Sequence, residues 1–285
     1  MVRSATRTLR VTTRNAAFQR WRALLDSRSK RHRLGEFLVH GVRPISLAAA
    51  SGWPLKALLR RCGGVSEWAA EISRTADVEI HYELAPELMA ELGDKSEPPE
   101  LIAVAAIRSG SARPVPTTPD MLVVAFDRPG SPGNLGTVIR SADALGASGV
   151  VVTGHAADLH DPRTLRATTG SFFSTPTAHA DSAAQAVRWV DDVRRGGVPL
   201  RIVGLSEDGT RELAAYDLRG PTVLVVGNEA TGLSRGWTEA CDDVARIRMV
   251  GSASSLNAAA SASIALYEAA RQRTWTRGGV VGTPL

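Results

Sequence analysis

Three polar, glycine-bearing loops follow apolar runs in the second half of this chain, and their side chains could act together. The first, DRPGSPGNLG (127–136), carries Asn134 and leads into a helical stretch bearing Arg140. The second, GNEATGLS (227–234), offers one acid, Glu229. The third, VGSASSLN (250–257), brings Ser254, Ser255 and Asn257 to the start of an Ala- and Ser-rich helix. Glycine turns at strand ends present backbone N–H groups, which bind anions or orient a polar ligand. In an open parallel sheet the carboxyl ends of the strands line the ligand crevice, so all three loops can converge there.

The elements that must position these loops show in the periodicity. Met121 to Phe126 is an apolar, Val-rich run that reads as a buried strand ending at Asp127. Leu135, Val138, Ile139, Ala142 and Leu145 then recur at helical spacing, with Asn134 as the expected cap and Arg140 off the apolar stripe. Gly149–Thr153, Leu200–Leu205, Thr222–Val226 and Val244–Met249 read as further strands, and Ser182–Arg194 as a helix between them. Strands alternating with helices predict a mostly parallel α/β sheet over 121–275. The small residues Ala258 to Ala265 let the last helix approach a neighbour closely.

Upstream, Glu36–Val39, Lys56–Leu59, Val78–Tyr82 and Leu101–Ile107 read as strands. Val42–Ala50, Glu67–Ser73 and Pro86–Leu92 read as helices, so 35–108 is a second, smaller α/β domain. Residues 109–120, SGSARPVPTTPD, lack apolar periodicity and read as a linker; 276–285 reads as a tail.

Several chemistries are set aside. No GxxxxGK[ST] loop and no GxGxxG after a strand occurs, which argues against a P-loop nucleotidase and dinucleotide binding. No GxSxG elbow is present. His155 and His160 are five apart with no third ligand nearby in sequence, so no metal is expected. Cys62 and Cys241 belong to no CxxC pair, which suits a reducing cytoplasm. No apolar run is long enough to span a membrane, and the arginine-bearing N-terminus lacks a signal's apolar core.

Charge is unevenly placed. The chain totals +5, yet residues 1–33 hold ten Lys or Arg against Asp26 alone, +9, leaving −4 for the rest. Phe18 and Trp21 interrupt this run. A basic N-terminal arm, residues 1–34, suits a polyanion such as RNA, with Arg14, Arg22, Arg28, Lys30, Arg31 and Arg33 as candidate phosphate contacts. A solvated tail is the alternative.

The segments DRPGSPGNLGTVIRSADALG, VVGNEATGLS and IRMVGSASSLNAAASASIALYE resemble, in order and spacing, the three signature motifs of the SpoU (TrmH-like) branch of the SPOUT methyltransferases. Residues 35–107 resemble the ribosomal-protein-like (L30e-like) substrate-binding domain of its ribosomal RNA members. The likeness is strongest to the avilamycin- and thiostrepton-resistance 23S rRNA methyltransferases of actinomycetes, with the avilamycin type nearer.

The resemblance implies a trefoil-knotted α/β domain, S-adenosyl-L-methionine as methyl donor, and a homodimer with a shared active site. It implies 2′-O-methylation of the ribose of a uridine in 23S rRNA, conferring resistance to an orthosomycin-type antibiotic. A tRNA 2′-O-methyltransferase, a non-catalytic RNA binder and a small-molecule methyltransferase are the alternatives. Carried over by position, the catalytic set is Asn134, Arg140, Glu229, Ser255 and Asn257. The cofactor set is Gly204, Leu205, Ser206, Gly227, Asn228, Ile247, Met249 and Leu256. Arg248 departs from the family's usual proline. A guanidinium does not serve as a free base, so Arg140 is expected to bind the adjacent phosphate and the 2′-oxygen, with Asn134 and Glu229 fixing its position.

Overall fold

The computed structural model describes residues 7–93, 98–108 and 115–274. The chain divides into two compact units, residues 1–110 with 158–174, and residues 111–157 with 175–285. Residues 1–6 of the expected arm, 109–114 of the linker and the tail at 276–285 lie outside the described residues.

The first unit runs β1 (Arg7–Val11), α1 (Ala16–Asp26), α2 (Arg28–Leu34), β2 (Glu36–His40), α3 (Val42–Ala50), β3 (Leu55–Arg61), α4 (Glu67–Thr75), β4 (Val78–Leu84), α5 (Pro86–Leu92) and β5 (Leu101–Ala106). Its strands form one sheet in the order β1-β4-β3-β5-β2. β1, β4 and β3 pair parallel, while β5 runs antiparallel to both β3 and β2.

Within the basic segment, residues 7–34 supply β1, α1 and α2 of this unit. Asn15 caps α1 by accepting from the Phe18 N–H at 3.1 Å, and Ser27 caps α2 from the Lys30 N–H at 3.3 Å. Gly35, in the left-handed region at φ 64°, ends α2 and turns the chain into β2. Phe18 and Trp21 are 1% and 4% exposed and pack with Leu24, Leu84 and Leu88. Trp21 also meets the Tyr82 ring edge-on at 4.8 Å. These two aromatics are core side chains rather than stacking platforms for bases.

The second unit begins with β6 (Leu122–Asp127), α6 (Pro132–Ala144) and β7 (Gly149–Thr153). The chain then contributes α7 (Pro162–Thr168) and a 3-10 turn (Ser171–Phe173) to the first unit. There Phe172 and Phe173 lie 6.1 and 6.4 Å from the Phe37 ring, and both lie 5.3 Å from Trp53. The second unit resumes with β8 (Thr177–Ala180), α8 (Ala183–Arg195), β9 (Arg201–Leu205), β10 (Arg211–Glu212), β11 (Thr222–Val226), α9 (Arg235–Ala240), β12 (Asp243–Arg246) and α10 (Ala258–Thr274).

Its strands form a seven-stranded sheet in the order β10-β12-β9-β11-β6-β7-β8, and every pairing is parallel. β6, β7 and β11 are buried along their whole lengths, as expected of strands covered on both faces. Val226, at the end of β11, stands opposite both Phe126 and Leu205. The loops after β6, β9 and β11 therefore leave the sheet at one level. Val115, within the predicted linker, is 8% exposed and packs into the core with Met121 and Val123. Among the described residues no helix is long and apolar enough to cross a membrane.

Candidate active site

The helix cap after β6 is Ser131, not Asn134. Ser131 has extended φ/ψ and its Oγ accepts from the Asn134 N–H at 3.3 Å, with Pro132 in the first turn. The run SPGN holds two good capping residues, and the backbone used the earlier one. Asn134 thereby keeps its side-chain amide free to reach other loops.

That amide joins all three loops. Asn134 Nδ2 donates to Glu229 Oε1 at 2.9 Å, and Asn134 Oδ1 accepts from Asn257 Nδ2 at 3.2 Å. Glu229 also accepts from the Gly130 N–H at 3.0 Å and the Ser131 N–H at 3.3 Å. A carboxylate held by the amides that open α6 also complements the positive end of that helix. Partial burial pushes the Glu229 carboxyl up, but hydrogen bonds from Asn134, Gly130, its own N–H and Ser131 outweigh this and hold it below the usual range.

Asn257 has a second task. Its Oδ1 accepts from the N–H groups of Ala259 at 2.9 Å and Ala260 at 3.3 Å, which makes it the cap of α10. Downstream, Ser263 Oγ meets Ser141 Oγ of α6 at 2.8 Å, the close helix approach that small residues permit.

Beside this chain of amides lies a cavity of about 250 Å³ at the carboxyl ends of β9 and β11. Leu205, Ser206, Gly227, Asn228, Ile247, Met249 and Leu256 line it, as do Glu229 and Ser255. Gly204 does not. It sits inside β9, where a Cβ would meet Cys241 Sγ and Leu233 Cδ1, each at 2.9 Å, so its role is packing. Gly227 is required differently, because a Cβ there would lie 2.4 Å from the Gly232 carbonyl carbon. Asn228 shapes the same loop: its Nδ2 donates to the Arg128 carbonyl at 2.7 Å, and its Oδ1 accepts from the N–H groups of Ala230 and Thr231.

The sequence reading missed Glu207, Val226, Ala230, Gly232, Ala258 and Ser261 among the lining residues. It also missed the support beneath the first loop. Buried Asp127 accepts from Thr153 Oγ1 at 3.0 Å and from the Ser234 N–H at 2.8 Å, and Thr153 in turn accepts from Trp237 Nε1 at 3.1 Å. An acid ending an apolar strand was the available signal. Arg128, next in sequence, adopts φ 50°, a left-handed conformation that costs a non-glycine residue about 1 kcal/mol or more.

Arg140 stands apart. It is exposed on α6 and makes no hydrogen bond or ion pair among the described residues. Six residues beyond Asn134, it lies roughly 240° around the helix and about 9 Å along it. Asn134 and Glu229 hold each other rather than Arg140. Arg248 points outward, 3.9 Å from Glu212, so the departure from proline is a surface feature.

Of the expected phosphate contacts, Arg28 and Arg33 are exposed, and Lys30 is half-buried. Arg14 pairs with Glu91, and Arg22 with Asp26 and Glu91. Arg31 is 2% exposed and bonds Asp158 Oδ2 at 2.8 Å, so it is a buried structural charge and cannot reach a phosphate.

The cavity can be tested against a sulfonium nucleoside. Its lining includes two carboxylates, Glu207 and Glu229, and no Lys or Arg, together with Leu205, Ile247, Met249 and Leu256. Apolar walls suit a purine ring, and acids without competing cations suit a positively charged sulfonium and ammonium. The residues present fit that group.

Comparison with known proteins agrees. The model of the SpoU rRNA Methylase family matches residues 121–267, and that of the SpoU L30e-like domain matches 15–103. A 23S rRNA (uridine(2479)-2′-O)-methyltransferase of Streptomyces viridochromogenes is 50% identical over 266 residues, spanning 93% of this chain and 92% of that protein. The crystal structure of the SpoU methyltransferase AviRb from that species, in complex with AdoMet, superposes with a TM-score of 0.87 at 49% identity, covering 91% of this chain and 98% of the other. An AdoMet-bound rRNA methyltransferase from Sinorhizobium meliloti superposes at 0.81 with 30% identity, covering 93% and 98%. On these grounds and on the three joined loops, the chain belongs to the SpoU rRNA methylase family.

Proposed function

We propose that this protein transfers a methyl group from S-adenosyl-L-methionine to the ribose 2′-oxygen of a uridine in 23S rRNA, protecting the ribosome from an orthosomycin-type antibiotic. The observation that carries this is the hydrogen-bonded series Glu229–Asn134–Asn257 beside a cation-suited cavity, in a chain half identical to a 23S rRNA uridine methyltransferase.

The cofactor supplies an electrophilic methyl bound to a sulfonium. The backbone at Leu205, Ser206, Gly227 and Ile247 and the side chains of Met249 and Leu256 would hold it. Ser255 lines the cavity and Asn257 is joined to Asn134 beside it; both are exposed, and the ribose would enter on their side. As the 2′-oxygen takes the methyl, the S–CH3 bond breaks to leave a neutral thioether, and the proton of the 2′-hydroxyl passes to solvent. Arg140 binds the phosphate next to that ribose and stabilises negative charge on the 2′-oxygen. The family resemblance implies that this guanidinium is delivered from a second copy in a homodimer, and its separation from Asn134 along α6 is compatible with that. The first unit, with Arg28, Lys30 and Arg33 on its surface, receives the RNA, and the setting is the cytoplasm.

The test is transfer of tritiated methyl to antibiotic-sensitive 23S rRNA, with tRNA as the competing acceptor and Arg140→Ala as control. Label in 23S rRNA at an alkali-resistant linkage, lost in the variant, supports the reading. Label in tRNA alone overturns the rRNA assignment, and no cofactor binding overturns the enzyme. Near-normal turnover by Arg140→Lys would exclude a two-pronged role for the guanidinium.

A further inference from the structure

Two imidazoles and a carboxylate meet in the first unit, and none of them belongs to the three loops or the cavity described above. His32, on α2, places Nε2 3.4 Å from Asp158 Oδ1, and His160 places Nδ1 3.6 Å from that same oxygen. All three donor atoms lie within 4.8 Å of one another.

His160 is 8% exposed, its ring 4.7 Å from Phe37 and 5.6 Å from Phe172. Its Nδ1 is buried and has no hydrogen-bond partner. A buried ring nitrogen without a partner demands an explanation, since native interiors rarely leave one. At 3.6 Å a protonated Nδ1 is too far from the carboxylate to bond it. A bare Nδ1 faces the oxygen's lone pairs with nothing between them. A metal cation between them satisfies both atoms.

Two of the three donor spacings, 3.4 and 3.6 Å, are close to what such an ion needs, and the third, between the two ring nitrogens, is within 4.8 Å. Bonds of about 2.0–2.1 Å in a tetrahedron space the donor atoms by roughly 3.3 Å. Asp158 is held in the required pose by other partners. Its Oδ2 accepts from Arg31 Nε at 2.8 Å, and its Oδ1 accepts from the His160 N–H at 3.1 Å, leaving Oδ1 turned toward both rings. The nearby charge of Arg31 is itself spread over the Leu24 and Leu25 carbonyls, at 2.8 and 3.1 Å, and over Asp161 at 3.6 Å. The His32 side chain is 48% exposed, which gives the ion an entry path and a place for water as fourth ligand.

We propose that His32 Nε2, Asp158 Oδ1 and His160 Nδ1 form a site for a divalent transition metal of the zinc type. Two imidazoles with one carboxylate select such ions over magnesium or calcium, which prefer all-oxygen shells. Sequence spacing predicts no metal here, because His155 and His160 have no third histidine or cysteine nearby and His32 lies 128 residues before His160. The other two ligands come from α2 and from a turn two residues before His160. The ion clips basic helix α2 to residues 158–160, chain segments distant in sequence, and so acts on the first unit's rigidity.

The test uses the untagged full-length protein, stripped with chelator, and needs no methyl transfer. Zn²⁺ is titrated by competition with a chromogenic chelator, and Co²⁺ by its visible absorption. The expected result is one saturable equivalent per chain and the intense visible band of tetrahedral Co²⁺. In His32→Ala, whose half-exposed ring is dispensable for packing, affinity falls by about 100-fold or more and the band is lost, a larger loss than an outer-shell change produces. Absence of a saturable site, or equal binding by His32→Ala with unchanged melting temperature, overturns the proposal.

Discussion

Asn134 and Asn257 stand 123 residues apart in the chain, and their side-chain amides meet with Asn257 Nδ2 donating to Asn134 Oδ1 at 3.2 Å. One amide thus ties the opening turn of α6 to the cap of α10, and through Glu229 to the loop after β11.

The two tasks of Asn257 can be separated. Asn257→Asp keeps the oxygen that caps α10 but removes the donor to Asn134. Melting temperature is expected to stay near that of the native protein, while methyl transfer falls about 3- to 10-fold, the worth of one hydrogen bond. Asn257→Ala removes both and should also lose about 1 kcal/mol of stability. Parallel thermal melts and methyl-transfer rates decide.

Glu229 gives a pH signature. Its carboxyl is held below the usual range in the folded protein, so its hydrogen bonds stabilise above the unfolded pKa and are lost as pH falls through the folded one. Glu229→Gln turns an NH2 toward donors and should cost about 1 kcal/mol or less, since the group is exposed. The gap in melting temperature between the two proteins should hold steady from pH 8 to 5 and narrow below about pH 4. A gap that grows on acidification would contradict this.

Gly227→Ala places a methyl 2.4 Å from the Gly232 carbonyl carbon and must open that loop. Cofactor affinity, measured by calorimetry, is expected to fall tenfold or more with the fold intact. Gly204→Ala acts on packing against Cys241, so its loss should appear in stability first.

Burial, aided by Asp242, pushes the Cys241 thiol up to about 11. In Cys62→Ser protein, alkylation of Cys241 at pH 8 should be about 100-fold slower than that of an ordinary thiol. Unfolding in urea should remove the difference.

Arg31 and Arg33 are two residues apart and should behave oppositely. Arg31→Ala strands buried Asp158 and is expected to cost about 3–5 kcal/mol. Arg33→Ala should leave stability alone, weaken RNA binding and reduce its salt slope by about one counterion.

What could be read in advance divides along the range of the interactions. α3 and α5, at Val42–Ala50 and Pro86–Leu92, have the boundaries that local apolar spacing predicts. β8, TAHA, was missed because four small or polar residues carry no apolar signal, though the sheet edge accepts them. Ser131 and Asn134 are equal candidates by propensity, and the choice rests on Glu229, far along the chain. Charge alone grouped Arg31 with its neighbours, while its burial depends on Asp158. A knotted threading is implied by family resemblance alone, since strand spacing carries no record of how a chain passes through itself.

The return of residues 158–174 to the first unit bears on how the protein emerges from the ribosome. The sheet β1-β4-β3-β5-β2 is complete in sequence once Ala106 has been made, yet Phe37 and Trp53 then lack Phe172 and Phe173. The N-terminal unit cannot close its aromatic core until β6, α6 and β7 have also been synthesised. Domains made in sequence commonly fold one after the other. Here the earlier unit waits on the later one, and a nascent chain stalled between Ala106 and Ser171 would expose an unfinished core to chaperones and proteases.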